Sequence, residues 1–409
     1  MNLREIRKQF PLLKHTVYLN SADQAPPGRY WIDAIRRSLN LLEAGSIEDT
    51  PPYGFATHPF LSNIFFEVIE KGAKLIHAHR DEVTNNYRIM TAANMIINDI
   101  IQWERGDNVV FTNLDYPSIP FILLGLRKRG VELRRVEHKN GIIPIDEMEK
   151  MIDDRTKLMV INRTMPWSGF TYANVREISS IAHEHGAYVL DDAFQATGAI
   201  DIDVHRDEVD FLLSGSYKWQ CGPEGAGILY VRREIIENVE PDFRNYLWVD
   251  FKGEIPFSTE DHDNLSSWDY PLQKNANKFE MGTVVTPILF GWDATLDFLL
   301  NTGIEEIEKR VRSLGDYAYT RLSEEGFSLI TPESRENRHG LIVYTSGNAK
   351  RDREIYTNLN SPKSPQDRPI KLTLRYAGGI GGIRISTHFF NTKEEIDTLI
   401  ERQRKILKN

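Results

Sequence analysis

The chain has 409 residues, 41% hydrophobic and 27% charged, an ordinary balance for a globular protein of roughly two to three domains. The formal net charge of −9 argues against an electrostatic nucleic-acid footprint. No apolar run of about eighteen residues or more predicts a membrane span. The first residues, Met1-Asn-Leu-Arg-Glu-Ile-Arg-Lys8, carry charge but no apolar stretch of the kind a secretory signal needs. The single cysteine, Cys221, excludes an intrachain disulfide, and a cytoplasmic setting is expected.

In chain order, the first informative segment is Ile89-Met-Thr-Ala-Ala-Asn94, which enters an apolar helical pattern over 95–103. A helix start offers free amides and a positive dipole end, so it is a candidate phosphate site. Short apolar runs follow at 108–112, 133–137, 158–162, 188–192, 211–214 and 227–231. Such runs suit strands buried on both faces. Between them lie helical patterns. In one, Asn174 is the N-cap, Ile178, Ile181 and Ala182 follow at helical spacing, and Gly186 is the stop. The alternation predicts an α/β fold, a mostly parallel sheet flanked by helices. Segment 242–277 is polar and aromatic without a period and reads as a long excursion near the site. From Pro287 the texture changes to a long helix over about 290–325, short strands at 327–330 and 341–344, and a last helix over about 392–407. This predicts a large domain over 20–286 and a smaller α+β domain formed by 1–19 and 287–409.

Ligands in such sheets sit outside the carboxyl ends of the strands. Asp192 ends one predicted strand, with Gln195 three residues on, and Lys218 follows the strand at 211–214. A lysine that holds an aldehyde as a Schiff base, and an acid that keeps a pyridine nitrogen protonated, are what pyridoxal phosphate chemistry requires. Gln195 is then within reach of the ring hydroxyl. Ser214, Ser216 and Tyr217 offer hydroxyls to a phosphate, and Gly222-Pro-Glu-Gly-Ala-Gly227 lets backbone approach a ligand. Tyr116, in the loop Thr112-Asn-Leu-Asp-Tyr-Pro117, is placed to stack on a ring. Arg375 and Arg384 flank a glycine-rich run, and either could clamp a carboxylate through paired hydrogen bonds. His183 and His185 sit at a helix C-terminus with no cysteine or third histidine near in sequence, so no metal is expected there.

Together these residues resemble the class V branch of the fold-type I pyridoxal phosphate enzymes, which includes cysteine desulfurases, isopenicillin-N-epimerase-like proteins, kynureninase and several aminotransferases. The resemblance runs from Val17-Tyr-Leu-Asn-Ser-Ala22 to the segment 384–397. It is carried by Asp192-Ala-Phe-Gln195, Tyr217-Lys-Trp219 and, less specifically, Gly282-Thr283. It implies Lys218 as the Schiff-base lysine, Asp192 as the pyridinium partner and Gln195 as the ring-hydroxyl contact. It implies Met90 and Thr91 as the phosphate loop, and Ser216 and Tyr217 as further phosphate contacts. It implies Thr283 as a residue reaching the phosphate of a neighbouring subunit, hence a homodimer, and Arg384 as the substrate-carboxylate arginine. The departures are specific. Tyr116 stands where a histidine covers the ring, Tyr217 where a histidine precedes the lysine, and Pro166 where desulfurases carry an asparagine. Ile380 stands where some desulfurases carry the nucleophilic cysteine.

The expected activity is that of a pyridoxal phosphate enzyme on a small amino acid or related amine, most simply an aminotransferase with Lys218 moving the α-proton. Racemisation or epimerisation, and C–S or β-elimination, share the first carbanion and stay open. A nicotinamide oxidoreductase would need a G-x-G-x-x-G after its first strand, which is missing. A non-catalytic, cofactor-binding regulator would need an appended domain for which the chain has no spare length. No nucleic acid or membrane partner is expected.

Overall fold

The computed structural model describes residues 1–44, 59–86, 88–245, 248–250, 271–282, 284–362, 364 and 366–408. Among them the strands are β1 (Val17–Tyr18), β2 (Val83–Asn85), β3 (Asn108–Thr112), β4 (Glu132–Val136), β5 (Thr156–Asn162), β6 (Tyr188–Asp192), β7 (Phe211–Gly215), β8 (Gly227–Val231), β9 (Ser328–Leu329), β10 (Leu341–Thr345), β11 (Ile370–Lys371), β12 (Thr373–Ala377) and β13 (Ile380–Ser386).

Strands β2 to β8 form one sheet in the order β2-β8-β7-β6-β5-β3-β4. The pairs from β7 through β6, β5 and β3 to β4 are parallel. Strand β8 runs antiparallel to both β7 and β2. The segment between Gly215 and Gly227 is too short for the crossover a parallel neighbour requires. Each central strand buries both faces. Leu158, Val160, Leu190 and Leu213 pack with Ile96 and Ile97, while Met159, Ile161, Val189 and Leu212 pack with Ile178, Ala182 and Leu296. That is why these strands read as continuous apolar runs rather than alternating ones.

The remaining strands make a four-stranded antiparallel sheet, β12-β13-β10-β9, and a parallel β1-β11 pair. Val17, Leu19, Ile342, Tyr344, Ile383 and Ile385 share a third core with the helices Ile304–Glu324 and Lys393–Lys408. The N-terminal residues therefore cross to the C-terminal part of the chain.

Three expectations are corrected. The helix over 290–325 is two helices, Thr286–Thr302 and Ile304–Glu324, broken at Gly303 with φ +85°. The helix over 95–103 starts earlier, at Ile89, and closes with a wide turn over Ile96–Ile100. Asn174 occupies the N-cap position of Val175–Glu184, but its side chain makes no cap hydrogen bond. The glycine-rich run at 375–387 is a hairpin, β12–β13. Gly381 and Gly382 keep φ at +134° and +151°, and a Cβ at either would meet a backbone oxygen at 2.2 Å. Only glycine fits that close approach.

Candidate active site

Side chains alternate along a strand, and the end of β6 uses both faces. Asp191 turns to one side, where Arg163 Nε donates to it at 2.7 Å and Arg163 Nη1 donates to Asp207 at 2.6 Å. Asp192 turns to the other, into a cavity of about 620 Å³. Strand β7 lies beside β6, with Leu213 opposite Asp192, and its continuation through Ser216 and Tyr217 brings Lys218 to the same cavity. The strand ends thus place acid and lysine together. Met90, Tyr116, Gln195 and Tyr217 line the same space.

Burial dominates the charges here. Asp192 is 5% exposed and its carboxyl is pushed up to about 6, chiefly by burial, while the Phe194 N–H at 3.1 Å and the Lys218 charge pull it down. Lys218 is 7% exposed and its amine is pushed down to about 7, by burial first and by Arg384 second. Its Nζ lies 4.2 Å from the Phe194 ring centre and 5.5 Å from that of Tyr116, with no hydrogen bond or ion pair among the described residues. Tyr116 in turn is parallel to Trp167, 6.0 Å between centres.

Gln195 donates to the Ala22 carbonyl at 3.0 Å, and its oxygen accepts from Trp219 Nε1 at 2.8 Å. One N–H remains for a ligand. The Ser216 hydroxyl donates to the Pro223 carbonyl and Ser214 Oγ accepts from Gln220 at 3.1 Å, so both hydroxyls serve the 216–226 turn rather than the cavity. Met90 borders the cavity at the helix start, while the Thr91 amide already donates to the Arg88 carbonyl at 3.0 Å. Thr283 and much of 242–277 (246, 247 and 251–270) lie outside the described residues.

Arg384, on β13, is 4% exposed. It donates to Thr373 Oγ1 at 3.1 Å and to the Pro166 carbonyl at 3.1 Å, and it has no carboxylate partner among the described residues. Burial, and then Arg375, pushes it down to about 10. Pro166 lines the cavity, so the guanidinium lies against the cavity wall. Arg375 is instead paired with Asp23 at 3.0 Å. His183 and His185 pair with Asp210 and Asp154.

Some residues escaped the sequence reading. Asn162 ends β5 as Asp192 ends β6, lines the cavity, and donates to Asp115 at 3.1 Å. A polar residue closing an apolar run was the signal for it. Asp115 also accepts from the Thr112 amide and hydroxyl, at 2.7 and 2.9 Å. Arg88, Phe194 and Glu224 also line the cavity.

The family model for aminotransferase class V matches residues 61–399. The chain belongs to that family. A probable cysteine desulfurase of Halalkalibacterium halodurans is 29% identical to this class V enzyme, covering 98% of it and 96% of the relative. An uncharacterized aminotransferase of Bacillus subtilis, YcbU, is 25% identical, covering 97% and 96%. The solved complex of the cystine C–S lyase C-DES with its product cysteine persulfide superposes with TM-score 0.82 at 19% identity, covering 97% and 99%. The fold is thus fold-type I, and the cofactor is pyridoxal 5'-phosphate. The site's own chemistry fits that cofactor. An amine 7% exposed with no hydrogen-bonding partner among the described residues, a buried carboxylate across the cavity and an aromatic face over the amine match an imine, a ring nitrogen and a ring. No helix among the described residues is long and apolar enough to cross a membrane.

Proposed function

We propose that this class V enzyme is a C–S lyase that cleaves the Cβ–S bond of a small sulfur-bearing α-amino acid without using a thiol of its own. The observation that carries the reading is Cys221, the one cysteine in the chain, which is fully buried with its thiol pushed well above its ordinary range by burial. The β12–β13 hairpin presents Ile380 where some desulfurases carry a cysteine. Sulfur therefore has no acceptor on the protein and leaves as a free species. The relatives named for desulfurase and C–S lyase activities support a sulfur amino acid as substrate.

Pyridoxal phosphate, when bound, supplies an electron-accepting ring that acidifies the amino acid's α-carbon. Lys218 would hold it covalently and Asp192 would face its ring nitrogen, with Gln195, Tyr116 and the Met90–Thr91 helix start around it. Arg384 would bind the substrate carboxylate. The Lys218 amine, pushed down to about 7, takes the α-proton in its neutral form and passes it on. In net terms R–S–CH₂–CH(NH₃⁺)–COO⁻ and water give R–SH, pyruvate and ammonium. By the family's pattern we further propose a homodimer, which sedimentation of the holoprotein checks.

Transamination is the second reading, supported by the relative named aminotransferase and by the same lysine serving as proton carrier. Anaerobic incubation of the holoprotein with cystine, cysteine and a panel of other amino acids separates the two. Pyruvate and ammonium in equal amounts with released thiol or persulfide support the lyase. A keto acid formed without ammonium, and only with a second keto acid as acceptor, assigns transamination. Deuterium entering Cα with no keto acid assigns epimerisation.

A further inference from the structure

We propose that His79, Glu82 and His205 form a binding site for a divalent transition-metal cation, separate from the cofactor cavity. His79 precedes, and Glu82 ends, the single 3₁₀ turn Arg80–Glu82. At three residues per turn, positions three apart lie above one another, so the imidazole and the carboxylate share a face. His205 comes from the short helix Val204–Asp207, between β6 and β7. One ligand atom from each of the three lies within 4.8 Å of the others. The two imidazole centres are 4.9 Å apart and tilted by 41°. Glu82, 3% exposed, accepts from the His79 amide at 2.9 Å, and its Oε2 lies 2.7 Å from His205 Nε2.

Two imidazoles and a carboxylate are a donor set for zinc and its first-row neighbours. With bonds of about 2.1 Å, tetrahedral ligand atoms stand about 3.4 Å apart. Glu82 Oε2 and His205 Nε2 are already closer than that, and all three ligand atoms lie within 4.8 Å. The cation takes the place of the hydrogen between His205 Nε2 and Glu82 Oε2, and the other ring nitrogen of His205 carries the imidazole's N–H. The cluster opens on a cavity of about 940 Å³, which leaves room for water or an exogenous ligand at the fourth position. The cations around it are engaged elsewhere. Arg232 pairs with Asp210 at 3.2 Å, Arg233 with Asp81 at 3.7 Å, and Arg80 lies over the Phe66 ring at 4.7 Å.

The site stands at the far end of β2 from the active cavity. Glu82 precedes β2 and Asn86, which lines the active cavity, follows it, about 13 Å along the strand. A bound cation would pin the turn before β2 to the helix between β6 and β7.

The test uses the holoprotein and Co²⁺ or Zn²⁺ alone. One equivalent should bind, with cobalt d–d bands. X-ray absorption on the zinc form should show imidazole nitrogen and carboxylate oxygen neighbours at about 2.0–2.2 Å. His79→Ala and His205→Ala should each weaken binding by about 100-fold or more. Lys218→Ala should bind unchanged, which separates this site from the cofactor. Failure of the wild type to bind a stoichiometric ion, a spectrum without imidazole, or binding that survives both histidine variants overturns the proposal. Because the absorption spectrum is read on the wild type, a variant that misfolds does not protect it.

Discussion

The Arg384 guanidinium acts on the Lys218 amine: after burial it is the largest influence pushing that amine down to about 7, with Asp192 pulling the other way. Two cations thus share one buried region, and Arg384 lacks a carboxylate partner among the described residues. A substrate carboxylate arriving at Arg384 would cancel the repulsion and raise the proton affinity of Lys218 as the α-proton becomes available. Substrate binding and base strength are coupled through this pair.

The first prediction follows from the sign of that shift. Only the neutral amine attacks an aldehyde, so capture of pyridoxal phosphate by apoprotein should accelerate as pH rises through about 7. Arg384→Gln removes the repelling cation and should move the midpoint upward. Stopped-flow absorbance over pH 5–10 (roughly the range requires) reads both. A wild-type midpoint near the ordinary lysine value contradicts the coupling. Borohydride reduction should fix the cofactor on the peptide carrying Lys218.

The second prediction concerns affinity. Losing one charged hydrogen-bonding partner typically costs about 1.5–3 kcal/mol, or about 10- to 150-fold. Arg384→Ala should weaken amino-acid binding by that factor while cofactor absorbance stays intact. Arg375 already has Asp23, so Arg375→Ala should cost less. Titration of the cofactor band with an amino acid compares the two.

Much of this geometry was legible because the chemistry sits at strand ends. Asp192 closes one apolar run and Lys218 follows the next by a few residues, and neighbouring parallel strands bring such ends together. What stayed hidden depended on pairing across distance. Asn162 and Asp115 meet only because β5 runs beside β3, which no local pattern states. Ser216 has the right hydroxyl in the right place along the chain, yet the turn's own carbonyl at Pro223 takes it. The β12–β13 hairpin was hidden by glycines that it needs for backbone contact, because glycine in sequence signals a loop. Gly303 escaped for the opposite reason, as one residue inside a long helical period. Glu82 and His205 are 123 residues apart and meet only in the folded chain.

The third prediction is a pH dependence of stability. Burial raises the Asp115 carboxyl to about 7, against hydrogen bonds from Thr112 and Asn162 and with repulsion from Asp192 adding to it. In the unfolded chain the group titrates near the ordinary 3.8. Between those values the folded state holds a proton the unfolded state has lost, so the stabilisation is full below about 4 and fades as pH rises through about 7. Urea melts of apoprotein should show a falling midpoint across that window. The difference between wild type and Asp115→Asn should flatten it. An identical pH profile for the two would remove Asp115 from the account.

The fourth prediction is that Cys221 is chemically silent. It lies three residues past Lys218 at φ +59°, with its amide bonded to the Lys218 carbonyl at 3.1 Å and its sulfur facing the Trp219 carbonyl. A thiol reacts as its thiolate, and burial holds this one protonated. The tight turn also denies it the reach of a swinging arm. Native holoprotein should therefore resist a thiol reagent, and one thiol per chain should titrate once the protein is denatured. Incubation with cysteine should leave no persulfide mass on the protein. Cys221→Ala removes only a buried sulfur and should keep turnover within about twofold, since a small core change of this kind costs stability rather than chemistry. Sulfide release that disappears in Cys221→Ala, together with a persulfide on the Cys221 peptide of the wild type, would make the enzyme a desulfurase after all and withdraw the thiol-independent reading.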